Sequence, residues 1–145
     1  MADSYARNCK STVIPGLRYR DAHKAIEWLV RALGFEKKAV YDGPNGTVAH
    51  AELTFGNGMI MIGSLLDDGD KTTAALPPDE MGLREAMACS LLVTDAAASY
   101  LMAKAAGAQI TQELAEMPYG GKAFSCLDLE GHRWWVGEYD PWAAA

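Results

Sequence analysis

The sequence predicts an α+β fold: two tandem βαβββ modules whose curved mixed sheets enclose a cleft. Three observations predict it. The punctuation repeats: Asp21 to Gly34 spans 13 residues and Asp95 to Gly107 spans 12, while Gly34 to Gly58 and Gly107 to Gly131 each span 24. Each unit carries one segment of helical period set among strand-like runs. Each also closes on a glycine turn leading into an apolar strand, Phe55 to Gly63 in the first and Asp128 to Tyr139 in the second. Two copies at a period of about 73 residues are too few for a solenoid and indicate a pseudo-symmetric pair.

Size and charge bound the rest. With 145 residues, half of them hydrophobic, the chain fits one domain or two small modules sharing a core. The net charge is -6, and the 13 Lys and Arg form no stripe. This excludes nucleic acid and anionic membranes as partners, because phosphate neutralisation dominates such binding. The same charge mildly favours cationic ligands. Cys9, Cys89 and Cys126 are odd in number and form no C-x-x-C pair, which reads as free thiols in a reducing cytoplasm. The first residues lack an apolar signal core, and no run approaches membrane-spanning length.

Residues 1–11 read as a polar arm, 12–65 as the first module, 66–87 as a linker, 88–140 as the second module and 141–145 as a tail. Ser11 to Arg20 alternates weakly and reads as a strand interrupted by Pro15 and Gly16. Asp21 is placed to cap a helix reaching Leu33, with Ala22, Ala25, Ile26, Leu29, Ala32 and Leu33 on one face, Trp28 beside them and Gly34 as the left-handed stop. Glu36 to Asp42 is a strand, and Gly43 to Gly46 a turn that absorbs the sequon at Asn45. Thr47 to Phe55 alternates, with Ala49, Ala51, Leu53 and Phe55 opposite Val48, His50, Glu52 and Thr54. A hairpin at Gly56 to Gly58 leads to Met59–Ile62. The acidic Asp67 to Asp70 and the Pro77-Pro78 pair have the composition of a solvated loop. Ala88 to Thr94, a helix from Ala96 capped by Asp95, Ala108 to Glu116, the turn Pro118 to Gly121, and Lys122 to Leu129 repeat the first pattern. The last strand sends Trp134 and Val136 to one face and Arg133, Trp135 and Gly137 to the other.

These motifs carry a resemblance. Leu17-Arg-Tyr-Arg-Asp21, Ala32-Leu-Gly-Phe35, Val93-Thr-Asp95, Ala105-Ala-Gly-Ala108 and Asp128-Leu-Glu-Gly-His132 resemble the vicinal oxygen chelate superfamily, which includes glyoxalase I, extradiol dioxygenases and bleomycin-resistance proteins. Val48 to Leu53 with Met59 to Gly63 is similar to the glyoxalase/bleomycin-resistance-like members, the PhnB group among them. The resemblance implies four inward positions that hold a divalent ion in metal-using members. Counting from Asp21, Asp95, Gly58 and Gly131, these fall on Ile14, Cys89, Met61 and Trp135, which do not compose a chelate set. His50, Glu52, His132 and Glu138 are the alternative donors for a metal-dependent lyase, isomerase or dioxygenase.

The expected site is therefore a cleft floored by Ile14, Met61, Cys89 and Trp135, with Tyr119 at its rim and His50 on a neighbouring strand. Its expected ligand is planar or aromatic, with no cofactor, and a cationic one is helped by the net charge. The resemblance adds that bleomycin-resistance-like proteins sequester a flat cationic drug in this way. It also implies that the cleft is completed across a homodimer. An occluded scaffold with no ligand is the third reading of the same residues.

Overall fold

The computed structural model describes residues 7–65, 77–82 and 87–143. The first module consists of β1 (Gly16–Tyr19), α1 (Ala22–Leu33), β2 (Glu36–Asp42), β3 (Val48–Phe55) and β4 (Gly58–Ser64). The second consists of β5 (Cys89–Leu92), α2 (Ala96–Ala105), β6 (Gln109–Glu116), β7 (Lys122–Leu127) and β8 (Arg133–Gly137). Each module forms its own four-stranded mixed sheet, in the order β1-β4-β3-β2 and β5-β8-β7-β6. In each, the strand before the helix lies parallel to the last strand, and the other pairings are antiparallel.

The helices begin and end as their sequences dictate. The Asp21 carboxylate accepts from the Lys24 amide at 3.1 Å, and Asp95 accepts from Ala98 at 3.0 Å, each satisfying a first-turn donor. Gly34 stops α1 with φ of 87°, a conformation a side chain would strain. The expected apolar stripe of α1 is buried throughout, Trp28 included. The Trp28 indole N–H donates to the Ala106 carbonyl at the end of α2, tying the two helices together.

One core joins the modules. Tyr19, Ile26, Leu29, Phe35, Leu53 and Ile62 of the first module pack in the same cluster as Leu91, Phe124, Trp134 and Val136 of the second. Phe35 meets Trp134 edge to face at 5.5 Å between ring centres. The strands are shorter than the sequence suggests at several ends. The first begins at Gly16 rather than Ser11, because Pro15 has no N–H for the ladder; its carbonyl instead accepts from Met61. Val48 is buried with Ala51 and Leu53 rather than facing away with His50, because the pairing register shifts between Tyr41 and Asp42. Of the linker, a short 3₁₀ turn at Pro78–Met81 is described; Asp67 to Asp70 lie outside the described residues. No helix among the described residues is long and apolar enough to cross a membrane.

A polar latch fastens the turn before β8 to the first module. Asp128 accepts four hydrogen bonds: Oδ2 from the Tyr19 hydroxyl at 2.6 Å and the Trp134 indole at 3.0 Å, and Oδ1 from the Glu130 and His132 amides at 3.1 Å. Burial pushes its carboxyl above the ordinary value, the Tyr19 and Trp134 bonds pulling the other way. Burial and then the neighbouring Asp128 raise Tyr19 as well. Glu130 accepts from the Arg20 amide at 2.6 Å and the Asp21 amide at 2.8 Å, where α1 begins.

Candidate functional site

Strand alternation gives each sheet a helix-facing side and an open side. On β8, Trp134 and Val136 are fully buried in the core, whereas Trp135 is half-buried on the open side. The open side of the second sheet holds a hollow of about 450 Å³, lined by Leu92, Met117, Tyr119, Lys122, Trp135 and Tyr139 among others. Trp135 lies across Gly137: a Cβ added there would stand 3.3 Å from the indole nitrogen and 3.1 Å from the Ala123 Cβ. A glycine at that position is what lets the indole nitrogen come this close to the backbone. Tyr119 and Tyr139 meet edge to face at 5.1 Å, forming an aromatic rim that remains largely exposed.

The open side of the first sheet holds a separate hollow of about 290 Å³, lined by Gly16, Arg18, Ala49, His50, Met61 and Gly63 among others. Its lining is more polar in proportion than that of the second module's hollow. His50 Nε2 lies 2.9 Å from Glu52, and Glu52 also pairs with Lys38 at 3.1 Å. Hydrogen bonds from His50 and then Lys38 hold the Glu52 carboxyl below its ordinary value. Tyr41 stacks beside His50 at 6.0 Å between centres.

The six residues singled out from sequence therefore separate. Trp135 and Tyr119 share the second module's hollow, and Met61 and His50 share the first's; the two hollows have no lining residue in common. Ile14 stands two residues before β1, half-buried. Cys89 turns toward the core side, bordering a third hollow with Phe35, Phe55, Met59 and Trp134. The ladder explains the offset: Gly16 pairs with Met61 and Ser90 with Trp135, so Gly16 and Ser90 are the open-side partners on the two short parallel strands. Leu92, Met117 and Tyr139 were not singled out in sequence. Leu92 was legible by alternation once β5 was in register, and Tyr139 by continuing the Trp135 and Gly137 face past the end of β8, whereas Met117 lies just beyond β6 with no periodic signal.

Among the described residues, the donors at the expected positions do not fit a divalent ion. Gly16, Met61, Ser90 and Trp135 at the ladder-matched positions offer no imidazole or carboxylate. Of the alternative donors, His50 and Glu52 lie together but pair with each other, while His132 and Glu138 sit elsewhere and are already engaged. His132 Nε2 faces the Arg18 carbonyl at 3.2 Å, with its ring on the edge of Tyr19. The two Glu138 oxygens accept from the Ala96 and Lys122 amides, which lower its carboxyl below the ordinary value. Among the described residues no group of three or more His, Cys, Asp or Glu could hold a metal ion.

A doubled βαβββ fold whose open sheet faces carry hollows is a scaffold of the vicinal oxygen chelate type, built for small molecules or metal ions. The chain belongs to the Glyoxalase/Bleomycin resistance protein/Dioxygenase superfamily, whose description it matches over residues 11–136. Among solved structures it is similar to TioX from Micromonospora sp. ML1, with 30% identity, a TM-score of 0.67, and coverage of 88% of this chain and 94% of that one. The fosfomycin resistance protein FosX from Listeria monocytogenes shares the fold at 13% identity and a TM-score of 0.64, covering 90% of this chain and 94% of that one. The uncharacterized protein Rv0887c of Mycobacterium tuberculosis is 28% identical over 138 residues, 94% of this chain and 79% of its own length.

Proposed function

We propose that this chain is a small-molecule binding protein that holds a planar or aromatic ligand against Trp135 without a metal ion. The observation that carries the reading is the second module's hollow. At about 450 Å³ it falls in the size range of small-ligand sites, and it sets an indole floor beside a two-tyrosine rim. Met117 and Leu92 supply adaptable apolar walls. The preference for a cation expected from net charge finds no local support: the described lining includes Lys122 and no carboxylate.

The test is a titration with flat aromatic compounds, followed by tryptophan fluorescence and thermal shift. Trp135→Ala should raise Kd at least about tenfold, equivalent to roughly 1.4 kcal/mol, and remove the fluorescence response. An unchanged Kd would sink the assignment of this hollow.

The functional unit is read as a homodimer in which the open face of one copy's first module completes the second hollow of its partner. Two half-sites per chain, and the exposed Leu92, Tyr119, Tyr139 and Trp142 around one of them, support it. Sedimentation at the concentrations used for binding should return twice the 15.6 kDa chain mass. A monomer there that still binds ligand with full affinity would overturn the pairing. Cys9, Cys89 and Cys126 form no disulfide among the described residues, which fits a cytoplasmic setting.

A further inference from the structure

The duplicated modules can be laid on one another through their ladders, and they differ where it matters. Arg18 pairs with Gly63 in the first sheet as Leu92 pairs with Gly137 in the second, and Met61 matches Trp135. In both sheets the glycine floors a seat for one flat group. Over Gly137 it is the Trp135 indole; over Gly63 it is the Arg18 guanidinium, whose Nη1 stands 2.9 Å from where a Cβ would be. The Ser64 carbonyl fixes this pose by accepting from Nη1 at 2.9 Å. That bond uses one of five N–H donors. Arg18 has no carboxylate partner among the described residues. Glu52, on the strand beside this hollow, is held between Lys38 and His50. The hollow thus presents a positioned guanidinium, without a carboxylate partner among the described residues, where its duplicate presents leucine.

We infer that the open face of the first module is an oxyanion subsite, with Arg18 as its recognition group, and that the ligand is an aromatic acid. This rests on the aromatic reading of Trp135 and on the pairing of open faces in a dimer. A planar guanidinium accepts a carboxylate or sulfonate through two parallel N–H bonds, which also orients the ring system that bears it.

Two fluorescent probes test this on the full chain: anilinonaphthalene sulfonate, and phenylnaphthylamine, the same ring system without the sulfonate. Arg18→Leu, which installs the residue of the matching position, should weaken the sulfonate about tenfold and leave the neutral probe within about twofold. Trp135→Ala should weaken both. Arg18→Lys keeps the charge without the fork and should fall between wild type and Arg18→Leu for the sulfonate. Raising salt on the wild-type protein should loosen the sulfonate selectively, an arm that needs no variant. Equal effects of Arg18→Leu on both probes, no effect on either, or loss of the sulfonate on Lys122→Met instead would overturn the subsite. If Trp135→Ala leaves both probes unchanged, the aromatic reading itself falls, and the subsite with it.

Discussion

Replacing Asp128 with asparagine is expected to cost the fold about 3 kcal/mol. The carboxylate accepts four hydrogen bonds, two on each oxygen, and every partner is a donor. An asparagine has one acceptor oxygen, so its amino group must face either the Tyr19 and Trp134 pair or the two backbone amides. Either way two buried donors lose their acceptor. Urea denaturation of the two proteins should show the midpoint fall with little change in slope.

The pH dependence of that difference has a definite sign. Burial raises the folded pKa of Asp128 above its ordinary 3.8. Between those values the folded chain holds a proton the unfolded chain has released, so this group's contribution falls as pH rises through the window. The gap between wild type and Asp128→Asn should therefore widen on acidification toward the ordinary value. A gap that narrows monotonically on acidification would contradict a buried carboxyl with a raised pKa.

The adjacent tryptophans should behave as opposites. Trp134 is fully buried, packs on Phe35 across the module boundary and donates to Asp128. Trp134→Ala should lose about 3–5 kcal/mol, as expected for a large aromatic removed from a core. Trp135→Ala removes a half-buried ring from the open side, so its stability cost should stay near 1 kcal/mol, while its cost in ligand binding is large. Measuring melting and probe affinity on both variants separates the two faces of β8. Equal destabilisation by the two would contradict the strand's alternation.

Much of the architecture was legible because it rests on local signals. Asp21, Gly34 and Asp95 punctuate the helices through their caps and Gly107 follows the cap of α2 with a positive φ, while the period of Trp134 to Gly137 assigns faces without tertiary information. The hollows were less legible. Counting back from helix caps placed the inward positions on Ile14 and Cys89, but the ladder places Gly16 and Ser90 opposite Met61 and Trp135. An offset of one residue reverses a strand's faces, and an offset of two moves the position along the same face. The engagement of Glu138 with α2 and β7, and of His132 with the Arg18 carbonyl, is long-range and has no sequence signature. Arg18 was read only as part of a motif, because nothing in a linear pattern shows a guanidinium seated over a glycine 45 residues away.

The Glu130 carboxylate that receives the Arg20 and Asp21 amides just before α1 also bears on how the chain is made. Those bonds join residues 109 and 110 positions apart, and the Tyr19 bond to Asp128 spans 109. During synthesis the opening helix leaves the ribosome long before the residue that completes its start. Closing so long a segment slows acquisition of structure more than it weakens the product, since loop entropy grows only logarithmically with length. The repeat is double in sequence, but the bonds that fasten the entry to its first helix come from the turn before the final strand of its second half.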